Sequence, residues 1–539
     1  MNKIKEFSID TVFECDTTYI GTQAVYDIFP SDEMQQVEAW YTSMNSGNIP
    51  LRAAFVLRGL KNVTIDLKGA KLVFHGRMMP FAAFDCENIT FKNFSIDYDR
   101  PFYTQGTVLE AEGDSIVIEI PKLFSYRIEG QDFIACGETW EHRLIRGDML
   151  FRCFDNETGR PSKHSGVILG LIGEKIFPRD NPPLPIHHIK SEDLGEGKVR
   201  LFNFPETFRP QVGEILAMTH EDRSKVGILL ERCTDTNLEH IRLLHIGAMG
   251  LIASLCHNIT ANDFSMYLDE ETGDRIVSIN ADSFHTFHCS GLIKVENCRF
   301  ENMLDDAINI HGNYLVCKEL KAPKTLWVQN RASGIQRMQY LMPGDEFVIY
   351  KGNTQEVRCK GIARSAEYLP DQSLDLMLTL EQPLDAVIEE GDCLEILRTP
   401  EIEVRNCYSK CMGGFRISSD KRVLIENCTF ETSGFAVALT GDMNYWFENT
   451  GVKDLQIRNC RFLDCGQALT TGCGFVPTEA APYYHQNISF IENEIIGSRK
   501  GKPPISLKDV YGFTYRDNKV SNLPKETQPV VLERCENIK

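Results

Sequence analysis

The chain has 539 residues, a formal net charge of −19 and 42% hydrophobic residues. That length exceeds what one compact core usually holds, so several domains or an elongated repeat are expected. The acidic balance argues against nucleic acid or an anionic membrane as a partner, and no apolar run reaches the length of a transmembrane helix.

In chain order, residues 1–6 lead into mixed polar sequence without an apolar signal core. This places the protein in the cytoplasm, or outside it after removal of a leader. Ser31-Asp32-Glu33, followed by Met34, Val37, Trp40 and Tyr41, reads as a short capped helix able to cover an N-terminal end. With the first repeat units it fills the stretch 1–103. From 104 to 223 the text turns hairpin-like: Gly106–Ala111 and Ser115–Ile120 flank the turn Glu112-Gly113-Asp114, and 197–201 and 212–216 read likewise. Residues 224–312 return to the repeat. From 313 to 399 the hairpin style recurs around Trp327-Val328, Pro343–Ile349, Leu376–Leu380 and Gly391–Ile396. Both interruptions carry a Gly-Asp/Glu step before their last strand, which predicts two related small β-barrels. Their expected roles are shaping a cleft or mediating oligomerisation, a homodimer included. Residues 400–539 are repeat again.

The repeat is a phrase: apolar alternation, then Asn, often Cys, a polar residue and Phe. It stands as Val295-Glu296-Asn297-Cys298-Arg299-Phe300, Val404-Arg405-Asn406-Cys407, Ile425-Glu426-Asn427-Cys428-Thr429-Phe430 and Ile457-Arg458-Asn459-Cys460-Arg461-Phe462. Weaker copies surround Asn88, Asn258, Asn493 and Asn518. A unit in the low twenties, stretched by insertions, with period-2 alternation inside it, predicts a right-handed parallel β-helix, all-β. Asn at a fixed place tolerates a left-handed turn and stacks into a side-chain ladder. The 18 cysteines include four at equivalent positions and no CxxC pair. They read as a buried, reduced thiol ladder in a reducing compartment rather than disulfides or a zinc site.

Asp305 and Asp306 stand side by side in Leu304-Asp305-Asp306-Ala307, and Asp282 precedes them by one coil in Asn280-Ala281-Asp282-Ser283. On a solenoid, one coil of separation sets Asp282 beside the pair at roughly 5 Å. Three carboxylates so close repel, raising one pKa while others stay ionised, and glycoside hydrolysis needs that division into acid and base. A calcium site or a solvated acidic turn is the plainer reading of adjacent acids alone; the one-coil registration favours catalysis. Phe284-His285-Thr286, Ile308-Asn309-Ile310 and Phe415-Arg416-Ile417 align as in-out-in segments. His285, Asn309 and Arg416 then form an outward row suited to sugar hydroxyls, although any solenoid surface shows outward polar rows. The loops 441–447 and 475–479 offer Trp446 as a sugar platform, against plain loop packing, and Glu479 as a hydroxyl ligand, against plain solvation.

The solenoid, the Asp282 to Asp305-Asp306 spacing, the two barrel-like insertions and the stretch Phe94-Ser95-Ile96-Asp97-Tyr98-Asp99-Arg100-Pro101-Phe102 together resemble glycoside hydrolase family 110. The resemblance implies an α-1,3-galactosidase that removes terminal galactose from glycans with inversion. Asp305 is then the general acid, Asp306 and Asp282 share the activation of water, and no metal or other cofactor is needed. The partner is a glycan with terminal α-galactose. The same residues are also similar to polygalacturonase-type enzymes in Asn280-Ala281-Asp282, Asp305-Asp306 and Arg416-Ile417. However, His311-Gly312 follows the doublet too soon for that family, and Ser418 stands where it has Lys. A non-catalytic glycan-binding β-helix is the third reading, and it has no use for three registered acids.

Overall fold

The structure is a computed structural model. It describes residues 3–32, 34–37, 51–144, 150–163, 165, 167–169, 189–220, 225–331, 340–370, 374–443 and 446–539. Among them two short 3₁₀ turns are the only helical elements, Glu270–Thr272 and Arg499–Gly501; the rest is β-structure and loop. The chain winds as a right-handed parallel β-helix with three strand faces. One face stacks Lys61–Phe74, Glu87–Tyr98, Thr234–Leu243, His257–Ser265, Ser290–Glu296, Glu401–Arg405, Arg422–Glu426 and Asp454–Arg458 in parallel register. A second stacks Met79–Phe84, Ile228–Glu231, Leu251–Ser254, Phe284–Phe287, the start of Asp306–Ala322, Gly413–Ile417 and Phe435–Thr440. The third is narrower and begins with Arg299–Glu301, Tyr408–Lys410 and Thr429–Phe430.

The repeat phrase sits at the corner between the first and third faces. Asn297, Asn406, Asn427 and Asn459 all adopt φ between 54° and 57°. Asn297 Nδ2 donates to Asn262 Oδ1 at 2.8 Å, and Asn406 Nδ2 to Asn297 Oδ1 at 3.1 Å. The ladder thus engages the Asn297 and Asn406 amides while the residue tolerates the left-handed turn. The next residue points inward. Cys298, Cys407, Cys428 and Cys460 are buried, and each thiol donates to the carbonyl two residues earlier at 3.1–3.3 Å. All eighteen cysteines are free. The Phe of the phrase fills the interior, where Phe430 stacks on Phe462 at 5.2 Å and Phe462 on Phe490 at 5.4 Å.

Both hairpin-like stretches form antiparallel sheets outside the solenoid. Tyr103–Glu112, Ser115–Glu119, Leu150–Phe154, Val167–Leu169, Lys190–Gly195, Lys198–Phe202 and Ile215–Thr219 make a seven-stranded sheet, beside a three-stranded one. The second insertion pairs the far part of Asp306–Ala322 with Thr325–Gln329 and Cys393–Ile396, and adds Glu346–Tyr350, Val357–Tyr368 and Asp375–Leu380. The shared Gly-Asp/Glu step is one turn used three times. Gly213, Gly344 and Gly391 take φ of 87–95°. The following acid accepts the backbone N–H three residues before itself: Gln211 to Glu214 at 2.8 Å, Met342 to Asp345 at 2.7 Å, Glu389 to Asp392 at 2.9 Å.

The expected capped helix near residues 31–41 is not there among the described residues. Gln35–Val37 is a strand, antiparallel to Leu51–Arg58 through Gln35↔Ala53. Pairing with a neighbouring strand satisfies its backbone groups, so the local capping signal loses to the ladder. Glu33, Trp40 and Tyr41 lie outside the described residues.

The Asn ladder makes a stability prediction. Asn406→Ala keeps neither the amide ladder nor the tolerance for φ of 54°, and should cost about 1–3 kcal/mol in denaturant unfolding. Asn406→Gly, which relieves the backbone, should cost clearly less; equal losses would mean that the turn conformation is not what this position contributes.

Candidate functional site

The acids stand at the corner where the chain enters the second face. Asp282 precedes Phe284–Phe287, and Asp305-Asp306 open the strand Asp306–Ala322 directly above it. Inter-coil hydrogen bonds lock this corner: Ser283 N donates to Asp306 O at 3.0 Å, and Asp306 N to Asp282 Oδ1 at 3.3 Å. Carboxylate oxygens of Asp282, Asp305 and Asp306 all lie within 4.8 Å of one another. Asp282 and Asp306 are buried, whereas Asp305 is half-buried and reaches solvent. The stretch 94–102 has a structural part here. Phe102, at the turn into the first insertion, takes a hydrogen bond on its carbonyl from Asn280 Nδ2 at 2.9 Å, two residues before Asp282.

The outward row is in register: His285 pairs with Asn309, and Asn309 with Arg416. Its members differ in what they have left to offer. Arg416 donates from Nε to Asp306 Oδ2 at 2.8 Å and from Nη1 to Thr440 Oγ1 at 2.6 Å. His285 is buried with both ring nitrogens engaged, Nδ1 with Asp282 Oδ2 at 2.6 Å and Nε2 with His311 Nε2 at 2.9 Å, so it supports Asp282 rather than facing a sugar. Asn309 is the open hook of the row, 5% exposed with an Oδ1 that has no hydrogen-bond partner. Trp446 is 36% exposed on the loop that leads back to Gly312-Asn313, its carbonyl held by Asn313 Nδ2 at 2.8 Å. Its loop neighbours Asn444 and Tyr445 lie outside the described residues. Glu479 is exposed, in a loop tied to the second insertion through Val476 N to Asn353 O at 2.7 Å; no described contact joins it to the acids.

Electrostatically the corner disfavours a full set of negative charges. Burial pushes the Asp306 carboxyl well above the usual carboxylate range; Arg416 opposes this, and the Asp305 and Asp282 charges add to it. Burial works against the Arg416 guanidinium too, but Asp306, Glu448 and Asp305 outweigh it and hold the charge firmly. The cluster fits a shared proton better than a cation, because Arg416 already occupies Asp306 Oδ2 and His285 occupies Asp282 Oδ2. A second grouping, His75 with Asp27 at 2.9 Å, Glu138 at 3.3 Å and Asp99 at 3.9 Å, is an ion-pair cluster joining the first coils to the first insertion.

Sequence reasoning missed four residues of this site. Glu448 is buried, and its Oε1 lies 3.7 Å from His311 Nε2. It arrives on the short strand Glu448–Asn449, antiparallel to Gly312-Asn313. Glu448 carries no local signal, and His311 reads in sequence only as part of a His-Gly pair set too soon after the doublet. Gly413 faces Asp306: a Cβ there would stand 1.9 Å from Asp306 Oδ1 and 3.2 Å from Phe435 Cζ. Phe435 is half-buried, with the Arg416 guanidinium 4.9 Å from its ring centroid. An aromatic at the start of a repeat strand could have flagged it.

Comparison with known proteins places these features in a lineage. Residues 104–216 match the family model described as GLAA-B beta-barrel domain I. Alpha-1,3-galactosidase B of Bacteroides thetaiotaomicron is 29% identical over 97% of this chain and 84% of its own length. An alpha-1,3-galactosidase B of Phocaeicola vulgatus is 30% identical over 91% of this chain and 79% of its own. Among solved structures, a family 28 exopolygalacturonase of Yersinia enterocolitica aligns over 98% of this chain and 74% of its own, with TM-score 0.33 and 8% identity. By the extent of its similarity to the galactosidases, the chain belongs to their family, glycoside hydrolase family 110.

Proposed function

We propose that the protein is an exo-acting, inverting glycosidase that releases terminal α-1,3-linked galactose from glycans. The observation that carries this reading is the convergence of Asp282, Asp305 and Asp306 within 4.8 Å, in a chain whose relatives are named alpha-1,3-galactosidases. Asp305, the acid that reaches solvent, protonates the glycosidic oxygen as the C1–O bond breaks. Asp282 and Asp306 hold a water, whose oxygen bonds to C1 while its proton passes to a carboxylate. Asn309 Oδ1 and the Phe435 ring offer a hydroxyl acceptor and an apolar face to the sugar. A neutral hexose suits the row better than galacturonate, because Arg416 is committed to Asp306 and Thr440 rather than free for a substrate carboxylate.

Stereochemistry gives the sharpest test. In two-acid glycosidases, carboxyls about 5 Å apart go with retention and about 6.5–9.5 Å with inversion. This cluster is compact, but it has three acids, and a water shared by two of them is the basis of the inverting reading. Proton NMR of a terminal α-1,3-galactoside digest should show β-galactose first; α-galactose first would overturn inversion, and release of galacturonate from oligogalacturonides would overturn the substrate. Asp305→Asn should lower kcat by about 10²–10⁴-fold while glycan binding survives. Gly413→Ala should push the Asp306 carboxylate aside and cost about 100-fold in kcat/KM in a folded protein; unchanged turnover would separate Asp306 from the chemistry. Burial raises the Asp306 carboxyl, and as a base it must first lose that proton, so kcat/KM should rise with pH as a single ionisation; a profile without such an acidic limb counts against Asp306 as a base.

A further inference from the structure

We infer that His285, His311 and Glu448 form a proton-holding chain that keeps Asp282 ionised, with Glu448 as the positioning residue at its far end. The inference rests on reading Asp282 as a base that accepts the proton of water.

His311 Nδ1 lies 2.9 Å from Gly312 O, and a carbonyl only accepts, so Nδ1 carries hydrogen. His311 Nε2 and His285 Nε2 are 2.9 Å apart, which requires one proton between them, since two lone pairs or two N–H groups would repel. His285 Nδ1 and Asp282 Oδ2 are 2.6 Å apart and need another. Three hydrogen bonds hold three protons, whereas two neutral imidazoles supply two. The chain Asp282–His285–His311 therefore carries one surplus proton, either on Asp282 or on the histidine pair.

Its location follows from the groups facing the chain. Burial outweighs the opposing Glu448 and Asp305 charges at His285, which lies at about 4, and it also lowers His311, so the surplus stays on the pair only through what the hydrogen bonds and the carboxylates facing it add. The fold provides this at both ends. Asp306 N–H donates to Asp282 Oδ1 at 3.3 Å, stabilising the carboxylate. Glu448, buried, sets its carboxylate 3.7 Å from His311 Nε2 and draws positive charge toward that ring. Glu448 and Asp305 favour the cation on His285 and Arg416 disfavours it; on His311, Glu448 and Asp282 favour it and His285 disfavours it. The resulting order is carboxylate, imidazolium pair, carboxylate, with charges alternating along the row. Glu448 is delivered by a strand that closes on Gly312-Asn313, so the second insertion and the 441–449 loop are what complete the chain.

The test is Glu448→Gln, near-isosteric and without charge, in the full-length protein. In ¹⁵N-histidine-labelled wild type, imidazole NMR should show one shared imidazolium persisting at pH 7.5, and Glu448→Gln should abolish it. In parallel, kcat should fall about 10–100-fold with KM changed less than about threefold, as for partners that orient a catalytic group. The acidic limb of kcat should move up by about one pH unit, because the surplus proton returns to Asp282. If Glu448→Gln does not fold, His311→Gln serves: it can still bridge Gly312 O and His285 but cannot carry charge, and should give the same losses. Neutral rings in the wild type, or a variant with unchanged kcat and pH profile, would overturn the chain. Failure of the wild type to hydrolyse any α-galactoside would instead defeat the proposed function, leaving the NMR result to decide the proton count alone.

Discussion

The parallel ladder between successive coils is the constraint on which everything else depends. Each coil repeats at the strand spacing of about 4.8 Å, and backbone bonds such as Gly250 N to Asp282 O at 2.9 Å and Ser283 N to Asp306 O at 3.0 Å fix one corner above another. A carboxylate placed at such a corner inherits that spacing from the backbone. A slip of one residue in any of these pairings would turn the His285, Asn309, Arg416 row toward the interior and Phe284, Ile308 and Phe415 toward solvent. The interior penalises that slip along the whole solenoid, so the stacking that buries Phe300, Phe415 and Phe430 also holds the acids in place.

Holding three acids at that spacing is costly, and the remedy comes from neighbouring coils. The coil above contributes Arg416 and the open space at Gly413; the coil of Asp282 contributes His285; the return strand after Thr440 contributes Glu448. These contacts offset the repulsion among the acids without replacing any of them, a local compromise of the kind proteins carry at special sites.

Much of this was legible because a β-helix writes its geometry into its period. The coil spacing, the Asn at φ near 55°, the inward Cys and Phe, and the His285–Asn309–Arg416 alignment all follow from counting residues within and between units. What escaped depends on contacts that no period encodes. Glu448 meets His311 only because Glu448–Asn449 doubles back antiparallel onto a strand that has already left the solenoid. Gly413 matters through an atom it lacks. His285 read as an outward donor because alternation gives a side chain's direction but not its partners, and both of its nitrogens are taken. The expected helix near residue 35 failed for a related reason: a capping signal is local, whereas the pairing of Gln35 with Ala53 is not.

The strand Asp306–Ala322 carries the argument one step further. It starts in the parallel face with Asp306 and Asn309, passes His311, and continues as an antiparallel strand of the second insertion through Leu315↔Leu394 and Val316↔Gln329. One stiff element thus spans Asp306, Asn309, His311 and the start of the second insertion. The insertion's sheet is anchored in turn to the 473–484 loop by Tyr314 OH to Tyr484 OH at 2.7 Å, buried. The first insertion leaves the solenoid at the border where the chain enters the face bearing the row, after Tyr98, and the second at the border where it exits, after Ile310. The face between them keeps its coil-to-coil regularity. The irregular segments on either side supply what regularity cannot: the brace from Phe102 to Asn280 and the counter-charge of Glu448. A plain solenoid would align the acids; the entry to the first insertion and the returning loop add the Asn280 brace and the buried Glu448 beside them.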